Sequence, residues 1–185
     1  MLSSADPSER AAGARDVYRV GRALADAATR DWRADREFAA LLAGFAENGP
    51  LVTVGLAVNP LTFEAIRDAN GSPHFAAVPP DQDAREFELH FDAGAHASVA
   101  LDILTTRDPG AHGAIARYLS KFGEGIQQVE YRVRDVTAAT ALLKNKFGVE
   151  AIYPHARSGA GNTRINFFLV PAPEGEKVLI ELYEK

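Results

Sequence analysis

The sequence contains no cysteine, so disulfide bonds, thiolate metal ligands and cysteine nucleophiles are excluded. It also lacks an apolar run long enough to span a bilayer, and its amino terminus lacks the basic-then-apolar pattern of a secretion signal. No cluster of Lys and Arg occurs, and a net charge of -5 disfavours contact with nucleic-acid phosphates. These absences predict a cytoplasmic protein that acts on neither membranes nor nucleic acids.

The histidines are scattered along the sequence, and their placement argues against a conventional histidine metal site. No two of the five histidines are spaced as i and i+4, the spacing that puts two ligands on one helix face. The loop 158–162 is rich in glycine, but it joins two predicted strands instead of preceding a helix, so it is not a dinucleotide-binding motif. It is either a flexible turn or a cradle for an anionic ligand.

The first 49 of the 185 residues predict a helical extension in front of one compact domain, 50–185. Asp6 and Pro7 form a favourable helix start, and a second helix is predicted to end at Asn48-Gly49-Pro50. This extension carries no obvious chemistry. It docks either on the rest of the chain or on the second subunit of a homodimer.

From residue 51 onwards the apolar residues alternate, and one order of elements occurs twice: strand, helix and three strands. The sequence therefore predicts an α+β fold, in which two βαβββ modules at about 51–106 and 126–185 form one cupped mixed sheet. A helix at about 109–122 links the modules. The predicted strands are 51–58, 74–78, 85–91, 98–105, 127–134, 149–153, 163–170 and 177–184, and the module helices are 59–71 and 135–148.

One face of the predicted strands is unusually polar. Superposing the two modules by their alternation pairs Thr53 with Gln128, Glu86 with Arg164, and Asp102 with Glu181. If the sheet curls, this face lines a cup whose carboxylates need a cation or a ligand; if it is flat, they are simply solvated. The repeat favours the cup. The polar set is Thr53, Glu86, Glu88, His90, Asp102, Gln128, Glu130, Arg132, Arg164, Asn166 and Glu181.

Four stretches of the chain resemble the vicinal oxygen chelate (glyoxalase) superfamily. They read GEGIQQV at 123–129, RVRDV at 132–136, SGAGNTRINF at 158–167 and VLIEL at 178–182. The resemblance covers most of residues 51–185, is stronger in the second module, and is absent from the helical extension. It implies the paired βαβββ fold and catalysis at a carbon next to a carbonyl.

The resemblance also implies a metal site, at positions that here hold Thr53, Asp102, Gln128 and Glu181. Two of those positions, Thr53 and Gln128, are histidines in the family. The remaining oxygen donors suit magnesium, calcium or manganese and bind weakly. We therefore expect either no metal or a weakly bound divalent ion, and we do not expect zinc.

The two carboxylates that the resemblance makes catalytic are Glu86 and Glu181. Two bases on opposite sides of a substrate suit epimerase, isomerase or lyase chemistry on a small carbonyl or acyl compound. Arg132, Arg164, His90 and Glu130 are the predicted substrate contacts, with the arginines holding a carboxylate or an oxyanion. The alternative is a non-catalytic protein of the same fold that binds a small molecule in the cup.

Overall fold

The computed structural model describes residues 1–43, 52–92, 98–110, 112–172 and 177–185. None of the helices in those ranges combines the length and the apolar character that crossing a membrane requires. The helices are α1 Pro7–Ala28, α2 Arg30–Ala34, α3 Arg36–Leu41, α4 Pro60–Ala69, α5 Ala114–Phe122 and α6 Val136–Phe147. The strands are β1 Val52–Ala57, β2 Ala84–Asp92, β3 Ser98–Thr106, β4 Gly125–Arg132, β5 Arg157–Ser158, β6 Arg164–Pro171 and β7 Lys177–Glu184.

The strands form one mixed, curled sheet in the order β2-β3-β1-β4-β7-β6-β5. Within each module the first strand pairs in parallel with the last, β1 with β3 and β4 with β7. The modules meet where β1 and β4 run antiparallel at the middle of the sheet. The predicted α+β fold of two modules sharing one cupped sheet is confirmed.

The hydrophobic core lies on the convex face of the sheet, against α1, α4 and α6. Phe63 of α4 contacts Phe87 of β2 with ring centroids 4.7 Å apart, and both side chains are fully buried. Trp32 of α2 contacts Phe38 of α3 and Phe168 of β6 edge-on, at 5.8 and 6.1 Å. The amino-terminal helices thus share the core of the sheet. The predicted boundary at 49–50 lies outside the described residues.

Helix ends follow the local sequence closely. Asp6 accepts a hydrogen bond from the Ser8 amide at 2.8 Å and caps α1. Asp135 accepts one from the Ala138 amide at 2.8 Å and caps α6, which ends at Gly148 in the left-handed conformation (φ 65°). Such caps satisfy orphan backbone groups, and glycine adopts positive φ without a steric penalty. Both helices were predicted.

The second predicted helix is shorter than predicted. The Asp35 side chain caps its start by accepting hydrogen bonds from the Glu37 and Phe38 amides, and the helix already ends at Leu41, because Leu42 is extended and bridges to Val133. Its predicted stop at 48–50 lies outside the described residues. The linking helix also differs: it begins at Ala114, after Gly113, about five residues later than predicted.

The two predicted strands at 74–78 and 149–153 do not form regular strands, and the chain bends at 152–153. Each segment donates one backbone hydrogen bond to the neighbouring strand. The Ala76 amide donates to the Glu86 carbonyl at 3.0 Å, and the Ile152 amide donates to the Phe167 carbonyl at 2.7 Å. Next to Ile152, the Asn166 side chain donates to the Tyr153 carbonyl at 3.1 Å. A side chain thus makes the hydrogen bond that the backbone of a paired strand would otherwise make. A two-residue strand, β5, follows α6 in the second module instead and pairs with β6.

Gly21 of α1 lies directly on Val54 of β1, so a Cβ there would stand 2.6 Å from both Val54 methyl groups. Alanine normally gains about 1 kcal/mol over glycine inside a helix. Overpacking against a fully buried valine costs about 1–3 kcal/mol. We therefore expect Gly21→Ala to lower the midpoint of thermal unfolding. In Gly21→Ala/Val54→Ala the loss should be smaller than the sum of the single losses; additive losses would contradict this contact.

Candidate active site

The concave face of the sheet, together with α5, encloses a cavity of about 650 Å³. Alternate residues of β1, β2, β3, β4, β6 and β7 line it, and Ile115 and Arg117 of α5 close one end. Seven of the predicted site residues line this cavity and are thus brought together. They are Thr53, Glu86, Asp102, Gln128, Glu130, Arg132 and Glu181.

The strand registers show how the two modules superpose. Asp102 lies opposite Gly55 in the first module, and Glu181 lies opposite Glu130 in the second. Thr53 lies opposite Glu130, and Gly55 lies opposite Gln128, where β1 meets β4. The predicted pairings of Thr53 with Gln128 and of Asp102 with Glu181 are confirmed. Gly55 and Glu130 are also equivalent, although one has no side chain.

Arg164 does not line the cavity, and its predicted equivalence with Glu86 is wrong. In the first module Glu86 lies opposite Leu104. The residue equivalent to Leu104 in the second module is Tyr183, which lies opposite Ile165. The equivalent of Glu86 is therefore Ile165. A one-residue shift turns a strand side chain to the other face. Arg164 accordingly bonds Glu184 at 2.7 Å and Thr137 of α6 at 3.1 Å, on the convex side.

His90 lies on the same face as Glu86 but at the outer end of β2. Its Nε2 is 3.1 Å from Glu88 Oε1, and both side chains are about half exposed (53% and 51%). Glu88 lines the cavity, whereas His90 is not among the lining residues. A substrate contact from His90 stays a prediction that this placement does not support.

The floor of the cavity is a hydrogen-bonded group of acidic side chains. Gln128 Nε2 donates to Glu130 Oε1 at 2.9 Å and to Glu181 Oε2 at 2.8 Å. Asp102 lies close enough to Glu130 for each carboxyl group to shift the pKa of the other. We call these four residues, Asp102, Glu130, Gln128 and Glu181, the floor network.

Burial raises the pKa values of the acids in and beside the floor network. The pKa of Glu86 rises to about 8, first through burial and then through the charges of Asp102 and Glu88. The pKa of Asp102 rises to about 7, again chiefly through burial. Burial also raises the pKa values of Glu130 and Glu181 well above their usual range. At neutral pH this cavity therefore holds protonated carboxyl groups.

The sequence analysis missed several lining residues, among them Gln127 and Tyr183. Gln127 is the extra residue of a β-bulge, because Gly55 lies opposite Gln128 and Leu56 lies opposite Ile126. Its buried Oε1 finds no hydrogen-bond partner among the described residues. Tyr183 follows from the period-two pattern of β7, two residues after Glu181, but its register next to Arg132 requires the sheet pairing.

The residues present do not fit the metal ion that the superfamily resemblance implies. A ligand amide must direct its oxygen at the ion, whereas the Gln128 nitrogen is directed at two of the carboxyl groups. That amide joins the carboxyl groups of Glu130 and Glu181. Over the described ranges, no three His, Cys, Asp or Glu side chains are arranged to hold an ion.

Several solved structures of methylmalonyl-CoA epimerases are similar to this chain. Methylmalonyl-CoA epimerase from Mycobacterium tuberculosis is 35% identical, over 73% of this chain and 89% of its own, with a TM-score of 0.54. A Streptomyces coelicolor methylmalonyl-CoA epimerase variant in complex with 2-nitronate-propionyl-CoA is 27% identical, over 75% and 96%, with a TM-score of 0.57. A methylmalonyl-CoA epimerase in complex with methylmalonyl-CoA and NH4+ is 26% identical, over 75% and 96%, at 0.56.

No family model and no curated protein matches the chain. The paired modules and the carboxyl-lined cup nevertheless define the class of protein, a glyoxalase-fold protein with an acidic cavity. The identity and coverage of the Mycobacterium tuberculosis structure then make the assignment specific. The chain belongs to the methylmalonyl-CoA epimerase family of the vicinal oxygen chelate superfamily.

Proposed function

We propose that this protein moves a proton at the carbon next to a carbonyl group, with Glu86 and Glu181 as its acid/base pair. The relatives support a reaction of epimerase type, and an isomerase or lyase would share the same first step. A small acyl compound is the proposed substrate.

The position of the two carboxyl groups carries this proposal. Glu86 comes from β2 of the first module and Glu181 from β7 of the second, with three strands between them in the sheet order. Both line the same cavity, and the charge of Glu86 is one cause, after burial, of the raised pKa of Glu181. Two carboxyl groups with raised pKa values on different walls suit proton removal and return near neutral pH.

Epimerisation needs one of the pair ionised and the other protonated. The ionised carboxylate takes the hydrogen from the substrate's α-carbon, and the electron pair of the broken C–H bond passes into an enolate. The protonated carboxyl group then delivers its proton to the opposite face of that carbon. The exchange leaves the two residues with their protonation states reversed, ready for the reverse reaction.

The enolate oxygen needs a hydrogen-bond donor or a positive charge. Arg132 offers the positive charge, and the Tyr183 hydroxyl offers a hydrogen-bond donor. They are paired between β4 and β7, and both line the cavity. Burial, with the charges of Glu130 and Glu88, raises the pKa of Tyr183, so its hydroxyl stays a donor. Donors fixed before the reaction stabilise an oxyanion without reorganisation. Arg132 therefore keeps its predicted role, and Tyr183 takes the place predicted for Arg164.

The relatives suggest methylmalonyl-CoA as the first compound to test. The acidic floor tolerates an anionic substrate only where Arg132 offsets it. Arg117 and Lys185 also line the cavity and suit further anionic groups of an acyl-CoA. A cytoplasmic location and a homodimer stay predictions.

The decisive test is hydrogen exchange in deuterated water. We expect the protein to incorporate deuterium at the α-carbon of methylmalonyl-CoA and of a panel of 2-substituted acyl thioesters, as followed by mass spectrometry. Starting from a single enantiomer, loss of optical activity should accompany deuterium uptake, since the proton returns on the opposite face. Absence of exchange on every compound that binds would contradict the proposal.

The second candidate is a protein that binds a small acyl compound in the cup without reacting with it. The hydrogen bond from Gln128 to Glu181 favours this alternative, because it ties one of the two proposed bases to the floor network. Measured binding without exchange would establish it.

A further inference from the structure

We infer that the carboxyl group of Glu130 occupies the place in which the superfamily's metal ion would be held, so that this cup works without a divalent ion. The inference does not depend on the proposed reaction, because it concerns metal binding alone.

The first argument is the internal symmetry of the sheet. Gly55 and Glu130 occupy equivalent positions, each opposite the carboxylate of the last strand of its module. The first module leaves this position without a side chain, whereas the second fills it with a glutamate that is only 6% exposed. One side chain has thus been added at the point where the two halves of the cup meet.

The second argument is the position of Glu130 among the four residues that the resemblance makes ligands. Glu130 lies opposite Thr53 on one side and Glu181 on the other. Its carboxyl group accepts a hydrogen bond from Gln128 at 2.9 Å and lies beside the carboxyl group of Asp102. It therefore contacts the side chains of two of the four and is strand neighbour to the other two. An ion bound by the same four residues would need the space and the lone pairs that Glu130 uses.

The third argument is the direction of the Gln128 amide. Gln128 lies across Gly55, where an added Cβ would stand 2.6 Å from its Cγ. From that position both amide hydrogens are used, one on Glu130 and one on Glu181. Releasing Gln128 to turn its oxygen inward would leave two buried carboxyl groups without their donor, which is costly. Hydrogen bonds from Gln128 thus bind the carboxyl oxygens that would otherwise bind a metal ion.

The test is metal binding by the full chain. Mn²⁺ binding is followed by the paramagnetic resonance of the free ion, and Zn²⁺ binding by calorimetry. For the unmodified protein we expect no saturable binding at up to about 1 mM of either ion. Glu130→Ala removes the carboxyl group and frees Gln128, so it should bind at least one of the ions saturably, with a Kd of about 0.1 mM or lower, tenfold below that limit.

Glu88→Ala is the matched control, because it removes another carboxylate that lines the cavity but lies outside the floor network. It should gain no affinity, and neither should Glu130→Gln, which keeps the volume of the side chain. The inference is supported only if Glu130→Ala alone gains binding. Tight binding by the unmodified protein, weakened in Glu130→Ala, would instead make Glu130 a ligand. Equal failure of both proteins to bind, or an equal gain in Glu88→Ala, would also overturn it.

A second measurement uses the unmodified protein, so it stands even if Glu130→Ala does not fold. The side-chain amide protons of Gln128 should exchange slowly with solvent in nuclear magnetic resonance spectra, because both are hydrogen-bonded in the floor network. Added Mg²⁺ or Zn²⁺ should leave their shifts unchanged. Fast exchange, or a saturable shift on adding either ion, would contradict the inference.

Discussion

Replacing Glu86 with Gln is expected to slow α-hydrogen exchange by on the order of 10²-fold or more, the usual contribution of a positioned general base. The substitution keeps the size of the side chain and removes its ability to accept a proton. Glu181→Gln should slow exchange at least as much. Deuterium uptake at saturating and at low substrate concentration separates the effect on kcat from the effect on KM.

The control for this pair is Glu88→Gln, on the same strand as Glu86 and facing the same cavity. Glu88 is half exposed and contacts His90, so it should change exchange by only a few-fold. A carboxylate cluster that acted only through its total charge would respond equally to Glu86→Gln and Glu88→Gln. That result, or unchanged exchange in both base variants, would remove Glu86 and Glu181 from the mechanism.

The second large effect expected is a loss of stability as pH rises from about 6 to about 9. Folding raises the pKa of Asp102 from 3.8 to about 7 and that of Glu86 from 4.5 to about 8, chiefly through burial. A raised pKa means that the folded state holds protons that the unfolded state has lost. The stabilisation is complete below the unfolded values and is lost as pH rises through about 7 and 8.

Each unit of pKa shift corresponds to about 1.4 kcal/mol, so several such groups can lower the unfolding free energy by several kcal/mol. The groups facing this cluster are Glu88, Glu181, Gln128, Arg132 and His90, and Arg132 is the permanent cation among them. Thermal unfolding midpoints measured across this pH range should fall steadily.

Asp102→Asn should flatten that fall, because it removes one of the protons taken up on folding. Asp35→Asn serves as the comparison, since the Lys146 ammonium lowers the pKa of Asp35 and its protonation changes far below pH 6. The thermal unfolding midpoint of Asp35→Asn should therefore fall with rising pH as it does in the unmodified protein. A midpoint that is constant or rises between pH 6 and 9 would mean that the acids are held ionised by a bound cation.

The sequence predicts the fold well where local chemistry and alternation agree. The cap at Asp135, the end at Gly148 and the alternation of β7 each depend on nearby residues, and each is present as predicted. The same local reasoning failed at 149–153, where the Asn166 side chain donates a hydrogen bond to the Tyr153 carbonyl in place of a backbone amide from a paired strand. A contact of that kind depends on residues that are distant in sequence.

The site was predicted in part. Alternation placed Glu86, Asp102 and Glu181 on one face, and the repeat brought Gln128 to the same place. Arg164 failed because the strand register in the second module differs by one residue from the alternation assumed. Gln127 was missed because a bulge puts two consecutive residues on the cavity side, and a period-two pattern has no place for it.

The central position of β1 has a consequence for how the chain reaches this structure. β1 is made early, yet its partners β3 and β4 follow much later in the chain. Pairings between distant segments form slowly, and unpaired apolar strands promote aggregation in the meantime. α1 precedes β1 and lies on Val54 through Gly21, so it is the first element able to cover that strand. The amino-terminal helices can therefore protect the nascent chain before the sheet exists.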